Sequence, residues 1–411
     1  MYFAVSTIIR LLEETLNSFK QSLIGLTADV LGVFAGLVIA SYISLLTPIK
    51  WALLAYPSVL AVRGLTNGIF CAKLSTSLHI GSINTSFFKN TEEFYVLIAS
   101  LAFFNFIASI AASAMVCTVS LTLLGLELKD LVFIFLCVVN SMTLSFLMTS
   151  PLSFFVASRT YLRGLDPDYI AYPVMSTLAD VIVSACYLIV MQLYVTNSLV
   201  ILVLIFSLAL MTSLAFLAKF LEHELFKNIV RESFASFLIV SAISSSAGFS
   251  LKSISDRIGS YKPLYVVYPA VIDAIGDVGS IVGSTYTTKL ALGELYVDFK
   301  SFLKSIPVIL GSWFSSLLIF IILPWISVIL TNCSYLEYFV LLKILLLTNF
   351  ISILPTSLIA FLTAVLAYLK GLDPDSFVTP VESSLADAIT SYALLISLML
   401  LVGIKNCLVI Y

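Results

Sequence analysis

Two aspartates end two copies of the same phrase in an otherwise apolar chain. GLDPDYIAYPVMSTLAD ends at Asp180, GLDPDSFVTPVESSLAD ends 207 residues later at Asp387, and eleven of the 17 positions are identical. An ionised carboxylate inside such an apolar stretch costs about 3 kcal/mol on membrane-insertion scales. We therefore expect each carboxylate to have a partner, either a polar side chain or a bound cation.

Three more aspartates lie in apolar segments and extend this pattern. Asp273 and Asp277 are one helical turn apart, and Asp29 lies in the first long apolar segment. Carboxylate ligands without thiolate or imidazole suit hard cations, and Mg²⁺ retains its water, so an acid-lined wet site binds it through its hydration shell. Na⁺ or H⁺ requires less negative charge. The five aspartates therefore predict a metal site for a divalent cation, with Mg²⁺ favoured.

The other interpretation is that these acids only join neighbouring helices. The basic residues available at the same depth are few, namely Arg63, Lys343 and Lys73 at the end of a segment, whereas Glu382 adds another acid. There are too few bases to pair with every acid, so the cation pathway is the preferred hypothesis.

The segments that carry these acids are those of a membrane protein. The chain has 411 residues, of which 60% are hydrophobic and 11% charged, and many of its apolar runs exceed the roughly 20 residues that span a bilayer. Five such segments precede a linking one and five follow it, approximately at 23–46, 57–81, 94–124, 131–161, 169–195, 198–220, 233–254, 264–292, 302–330, 335–369 and 376–403. The predicted fold class is an all-α polytopic membrane protein with about eleven transmembrane helices.

A second repeated stretch shows that the chain is duplicated. The 25 residues from Pro57 align without gaps to those from Pro269, at an offset of 212, with matching glycines and threonines. An odd number of spans per half would invert the second copy, but one linking span restores its direction, so two parallel five-helix repeats are expected. The predicted domains are an amphipathic helix at 1–22, a first repeat at 23–196, a linking helix at 197–225 and a second repeat at 226–411.

The distribution of basic residues predicts the orientation in the cell membrane. With the N-terminus on one side, the loops and ends on that side carry thirteen Lys and Arg residues, whereas the other side carries six. The positive-inside rule then places the N-terminus in the cytoplasm and the C-terminus outside it.

The two repeated motifs in each half resemble the membrane domain of the MgtE family of magnesium channels and transporters. The likeness extends from about residue 23 to the end, and the doubled arrangement is similar to two-repeat relatives, the eukaryotic magnesium solute carriers and archaeal proteins. In the one-repeat family a dimer forms the pore and the Asp of the last span binds hydrated Mg²⁺. The resemblance assigns this role to Asp180 and Asp387, so that one chain supplies both halves of the pore, with oligomers still allowed.

The halves depart from that pattern and from each other. The family's Gly-Asn on the second span is Gly64-Leu65 in one half and Gly276-Asp277 in the other, and Asp29 aligns with a serine. The unequal acids favour Na⁺- or H⁺-coupled divalent cation exchange as the alternative to simple flux.

An enzymatic function is disfavoured. The chain has no P-loop sequence that would indicate an ATP-driven pump. An intramembrane aspartyl protease is the remote alternative, suggested by AIGD at Ala274–Asp277, but its usual first glycine and Tyr-Asp partner are missing. The expected partners are divalent cations and membrane lipid, not nucleic acid.

Overall fold

The protein is helical throughout the part of the chain that the computed structural model describes, which is residues 2–163, 167–291, 293, 295–370 and 374–402. A short 3-10 helix, Asp29–Gly32, follows α1. The α-helices are α1 (Tyr2–Leu26), α2 (Val33–Ser41), α3 (Ile43–Leu46), α4 (Ala52–Ile80), α5 (Glu92–Leu124), α6 (Leu128–Leu162), α7 (Pro167–Val195), α8 (Leu199–Phe220), α9 (Glu224–Ile258), α10 (Lys262–Ala291), α11 (Phe299–Lys304), α12 (Ile306–Thr331), α13 (Tyr335–Lys370) and α14 (Pro374–Val402).

Within the described residues, nine helical segments are long and apolar enough to cross a membrane. They include the predicted linking span, which forms α8 at Leu199–Phe220. The predicted spans on α4 and α9, which have 29 and 35 residues, are not among these nine segments. The all-helical membrane class is therefore confirmed, whereas the count of eleven crossings remains a prediction that depends on α4 and α9.

The first predicted span, at 23–46, is not one continuous helix. Helix α1 runs without a break to Leu26, the chain then turns, and Asp29 begins the short 3-10 helix that precedes α2. Helix α1 packs on α12, where the hydroxyl of Ser315 donates a hydrogen bond to the carbonyl of Phe19 over 2.7 Å. Asp29 thus lies where the helix tightens into 3-10 geometry, within the stretch Leu11–Ser41, which is long and apolar enough to cross a membrane as one segment.

The described chain forms two compact units. Residues 1–40 and 256–411 form the first, which we call the split unit, and residues 41–255 form the second, the continuous unit. Each unit therefore contains the opening helix of the other sequence half: α1 and α2 belong to the split unit, and almost all of α9 belongs to the continuous unit. The repeat boundaries, which are defined on the sequence, remain a prediction.

Two equivalent glycines show why the opening helices can pack so closely. In the split unit a Cβ atom at Gly36 would overlap the carbonyl oxygen of Val266, and in the continuous unit a Cβ at Gly248 would overlap that of Leu54. Gly36 aligns with Gly248, and Leu54 aligns with Val266, at the offset of 212 found in the sequence. Only glycine allows two helix backbones to approach to this distance.

A tyrosine–serine hydrogen bond is also present once in each unit. The hydroxyls of Tyr56 and Ser184 are 2.8 Å apart in the continuous unit, and those of Tyr268 and Ser391 are 2.8 Å apart in the split unit. All four side chains are buried. Each serine lies one helical turn after the aspartate that ends the repeated phrase, so this bond holds the acid-bearing helix in a similar way in both units.

Candidate cation site

The split unit brings two of the predicted aspartates into direct contact. Asp29 lies at the start of the 3-10 helix and is buried, whereas Asp277 lies in the middle of α10 and is exposed. Their side chains are hydrogen-bonded to each other. Two ionised carboxylates in such contact would repel each other, so the pair favours a proton or a cation between its oxygens.

Glu382 of α14 is a third carboxylate in this region. Its Oε2 atom accepts a hydrogen bond of 2.9 Å from the hydroxyl of Ser280, and Asp277 and Asp387 lie within electrostatic range of it. The side chain is 1% exposed, and its Oε1 atom has no hydrogen-bond partner among the described residues. A buried carboxylate oxygen without a donor is costly, so this atom is suited to a cation or to water.

Space for Glu382 is provided by Gly279 on the facing helix. A Cβ atom at this position would overlap Glu382 Oε1 and would lie 2.8 Å from the methyl carbon of Thr356. Helices α10, α13 and α14 pack against one another here. The bare backbone of Gly279 therefore allows an acidic side chain to enter a closely packed interface.

Asp387 lies on the same helix as Glu382 and is half-buried. It faces the other bare position of α10, since a Cβ atom at Gly276 would lie 3.9 Å from Asp387 Oδ1 and 3.8 Å from the hydroxyl oxygen of Ser383. The Tyr268–Ser391 bond fixes α14 one turn beyond Asp387. Helix α10 thus presents Asp277 and two glycines towards the acids of α14.

The other two predicted aspartates are Asp273, on α10, and Asp180, on α7. Asp273 lies one turn before Asp277 on α10 and is half-buried. Asp180 lies on α7 in the continuous unit, where Ser184 donates a hydrogen bond of 2.6 Å to its carbonyl oxygen. Four of the five predicted aspartates, Asp29, Asp273, Asp277 and Asp387, therefore belong to the split unit, and the predicted pairing of Asp180 with Asp387 remains a prediction.

The sequence prediction did not include Glu382 in the site. The signal was present, because Glu382 aligns with Met175 in the repeated phrase, and a buried methionine in one copy against an acid in the other indicates a specific use of the charge.

The described side chains contain no group of three or more His, Cys, Asp or Glu residues close enough to hold one metal ion directly. The acids are instead distributed along α10, α14 and the 3-10 helix. Oxygen ligands spaced in this way suit a hard cation that keeps part of its hydration shell, as Mg²⁺ does.

Nine long apolar helical segments among the described residues, several of which contain carboxylates, are typical of a multi-pass membrane transporter. The family model of the MgtE divalent cation transporters matches residues 56–190 and 268–397, which is more than half of the chain. The protein belongs to this family, which is a family of transporters and not of enzymes, and the two matched regions confirm the duplication.

The other comparisons add little to this assignment. No match was found among the curated proteins. Among solved structures, a mutant of the Vibrio cholerae MATE transporter VcmN covers 97% of this chain and 99% of its own, at 14% identity and a TM-score of 0.20. A likeness at this score supports no conclusion about the fold.

Proposed function

We propose that the protein transports Mg²⁺ across the membrane along a pathway lined by carboxylates. The observation that carries the proposal is the group formed by the hydrogen-bonded Asp29 and Asp277 with buried Glu382 beside them. A hydrated cation among these acids reduces their mutual repulsion, and one of its waters donates a hydrogen bond to Glu382 Oε1. Asp387 and Asp273 extend the set of ligands within the split unit, and Asp180 remains a predicted ligand of the continuous unit.

Selectivity follows from the type and spacing of the ligands. Carboxylate and hydroxyl oxygens disfavour Zn²⁺ and other borderline-soft ions, which prefer sulfur and nitrogen. The distributed acids bind the ion through its water, so the strongly held hydration shell of Mg²⁺ is retained and not stripped.

The proposal includes the arrangement of the chain. The two repeats run parallel, the N-terminus is cytoplasmic, and the C-terminus, which lies outside the described residues, is extracytoplasmic. Because both copies of the acid-bearing helix are in one chain, a monomer suffices for the pathway. The supporting observation is the asymmetry of basic residues together with the two matched family regions.

Flux measurements on the purified protein in liposomes test the function. Mg²⁺ entry is followed with an enclosed fluorescent indicator, once without and once with an opposing Na⁺ or H⁺ gradient. We expect Mg²⁺ flux in all three conditions. Flux that requires one of the gradients would replace simple transport with coupled exchange, and a folded protein that carries no divalent cation would refute the proposal.

Asp387→Asn tests the site, because the substitution removes the charge and keeps the size. We expect Mg²⁺ flux to fall by at least tenfold while the protein remains folded. The matched control is Asp298→Asn, since Asp298 accepts a hydrogen bond of 2.8 Å from the Ser301 amide at the start of α11 and Asn can keep this cap. A similar loss of flux in both variants would exclude a specific role for Asp387.

A further inference from the structure

A single arginine is buried in the middle of α4, within the continuous unit. Arg63 is 1% exposed, and its Nε, Nη1 and Nη2 atoms have no hydrogen-bond partner among the described residues. The guanidinium remains protonated under all physiological conditions and carries five N–H donors. A charged group of this kind is stable in a helix bundle only when something accepts those hydrogens.

The neighbouring side chains that the structure describes do not supply that acceptor. The guanidinium carbon lies 5.4 Å from the centre of the Phe146 ring, a cation–π contact that covers one face of the planar group. Among the described side chains, Cys71 and Cys186 lie within electrostatic range of the guanidinium. A neutral thiol is a weak acceptor, so the donors at the edge of the guanidinium are still not satisfied.

The equivalent position in the other repeat shows that the charge is not needed to build the helix bundle. Arg63 aligns with Ile275, which is completely buried in the split unit. An aliphatic side chain thus fills this place in one copy, whereas the other copy contains a guanidinium whose donors point into the protein. The difference indicates a ligand and not a packing requirement.

We infer that Arg63 binds a small monovalent inorganic anion, of which chloride is the physiological example. One face of the guanidinium is against Phe146, and the ion accepts N–H groups at its edge, where a compact anion without a hydrogen-bonding shape of its own is sufficient. The anion neutralises the arginine and stabilises the packing of α4 on α6 and α7. This inference does not rest on the proposed cation pathway, because the acids that carry that proposal, Asp29, Asp277 and Glu382, belong to the split unit and Arg63 belongs to the continuous unit.

Thermal unfolding in two salts tests the inference. The purified wild-type protein is melted in potassium chloride and in potassium gluconate at equal ionic strength, because gluconate is too large for a buried site. We expect the melting temperature to be higher in chloride by about 3 °C or more. Arg63→Met, which keeps the length and removes the charge, should melt at the same temperature in both salts.

Arg159→Met is the matched control. Arg159 also lies over an aromatic ring, with its guanidinium carbon 5.2 Å from the centre of Phe155, but its side chain is exposed. This variant should keep the chloride effect of the wild type. Equal melting of the wild type in both salts, or a chloride effect that persists in Arg63→Met, would overturn the inference.

Bromide provides a direct test that does not require the variant to fold. Wild-type crystals grown in bromide should show an anomalous peak within about 3.5 Å of the Arg63 nitrogens. An ordered guanidinium without such a peak, or with bromide bound only at the protein surface, would also overturn the inference.

Discussion

The two compact units keep the same helix contacts and differ in the chemistry of equivalent positions. Both contain the close glycine approach and the tyrosine–serine bond. The split unit has Asp277, Gly279 and Glu382 where the continuous unit has Leu65, Asn67 and Met175. The comparison shows that duplication preserved the residues that hold the helices together and the aspartate that ends the repeated phrase, while the other acids near that aspartate are present in one copy only.

The exchange of Gly279 for Asn67 illustrates this divergence. In the continuous unit the side chain of Asn67 is buried and accepts a hydrogen bond of 2.7 Å from Ser153. In the split unit the absent side chain of Gly279 leaves room for Glu382. At this position the continuous unit thus has a neutral hydrogen bond between two helices, whereas the split unit has space that the carboxylate of Glu382 occupies.

The largest expected effect is on the shared scaffold. Gly36→Ala and Gly248→Ala each place a methyl group against a backbone carbonyl, and each should destabilise the protein by about 3 kcal/mol because backbone cannot move aside as a side chain can. Thermal unfolding of the two variants measures this. Gly25→Ala is the control, since no atom lies within 4 Å of a Cβ there. A loss of stability in only one of the two variants would show that the helix packing of the two units is less similar than these contacts indicate.

The second-largest expected effect is on Mg²⁺ binding, and it should differ between the two repeated aspartates. Asp387→Asn should weaken Mg²⁺ binding about tenfold, which corresponds to about 1.4 kcal/mol, and Asp180→Asn should weaken it less. The reason is that Asp387 shares its unit with Asp29, Asp277 and Glu382. Isothermal titration of Mg²⁺ into both folded variants gives the ratio, and an equal loss would mean that the two phrases contribute equally despite their different surroundings.

The smallest expected effect is that of removing one hydroxyl from each unit. Tyr56→Phe and Tyr268→Phe each remove a buried hydrogen bond of 2.8 Å, and each should cost about 1 kcal/mol of stability. Melting temperatures should fall by similar amounts. Because Tyr268 lies within electrostatic range of Asp387, Mg²⁺ flux should fall in Tyr268→Phe and remain unchanged in Tyr56→Phe; the opposite pattern would contradict the assignment of the site to the split unit.

The sequence alone determined the class of protein, the duplication and the residues with unusual chemistry. Long apolar segments indicate membrane helices because spanning a bilayer is a property of local length and composition. The aligned phrases identified Asp180 and Asp387, and the scarcity of bases identified Asp29, Asp273 and Asp277.

The tertiary structure decided which of these residues meet. Asp29 belongs to the first half of the sequence and Asp277 to the second, yet they share one unit because α1 and α2 pack with α10 and α12. No local pattern predicts that exchange, since it depends on which glycine-containing surfaces fit each other across more than 200 residues. The burial of Glu382 beside Gly279 and of Arg63 beside Phe146 was likewise decided by packing, because a charge in the sequence does not reveal which helix will face it.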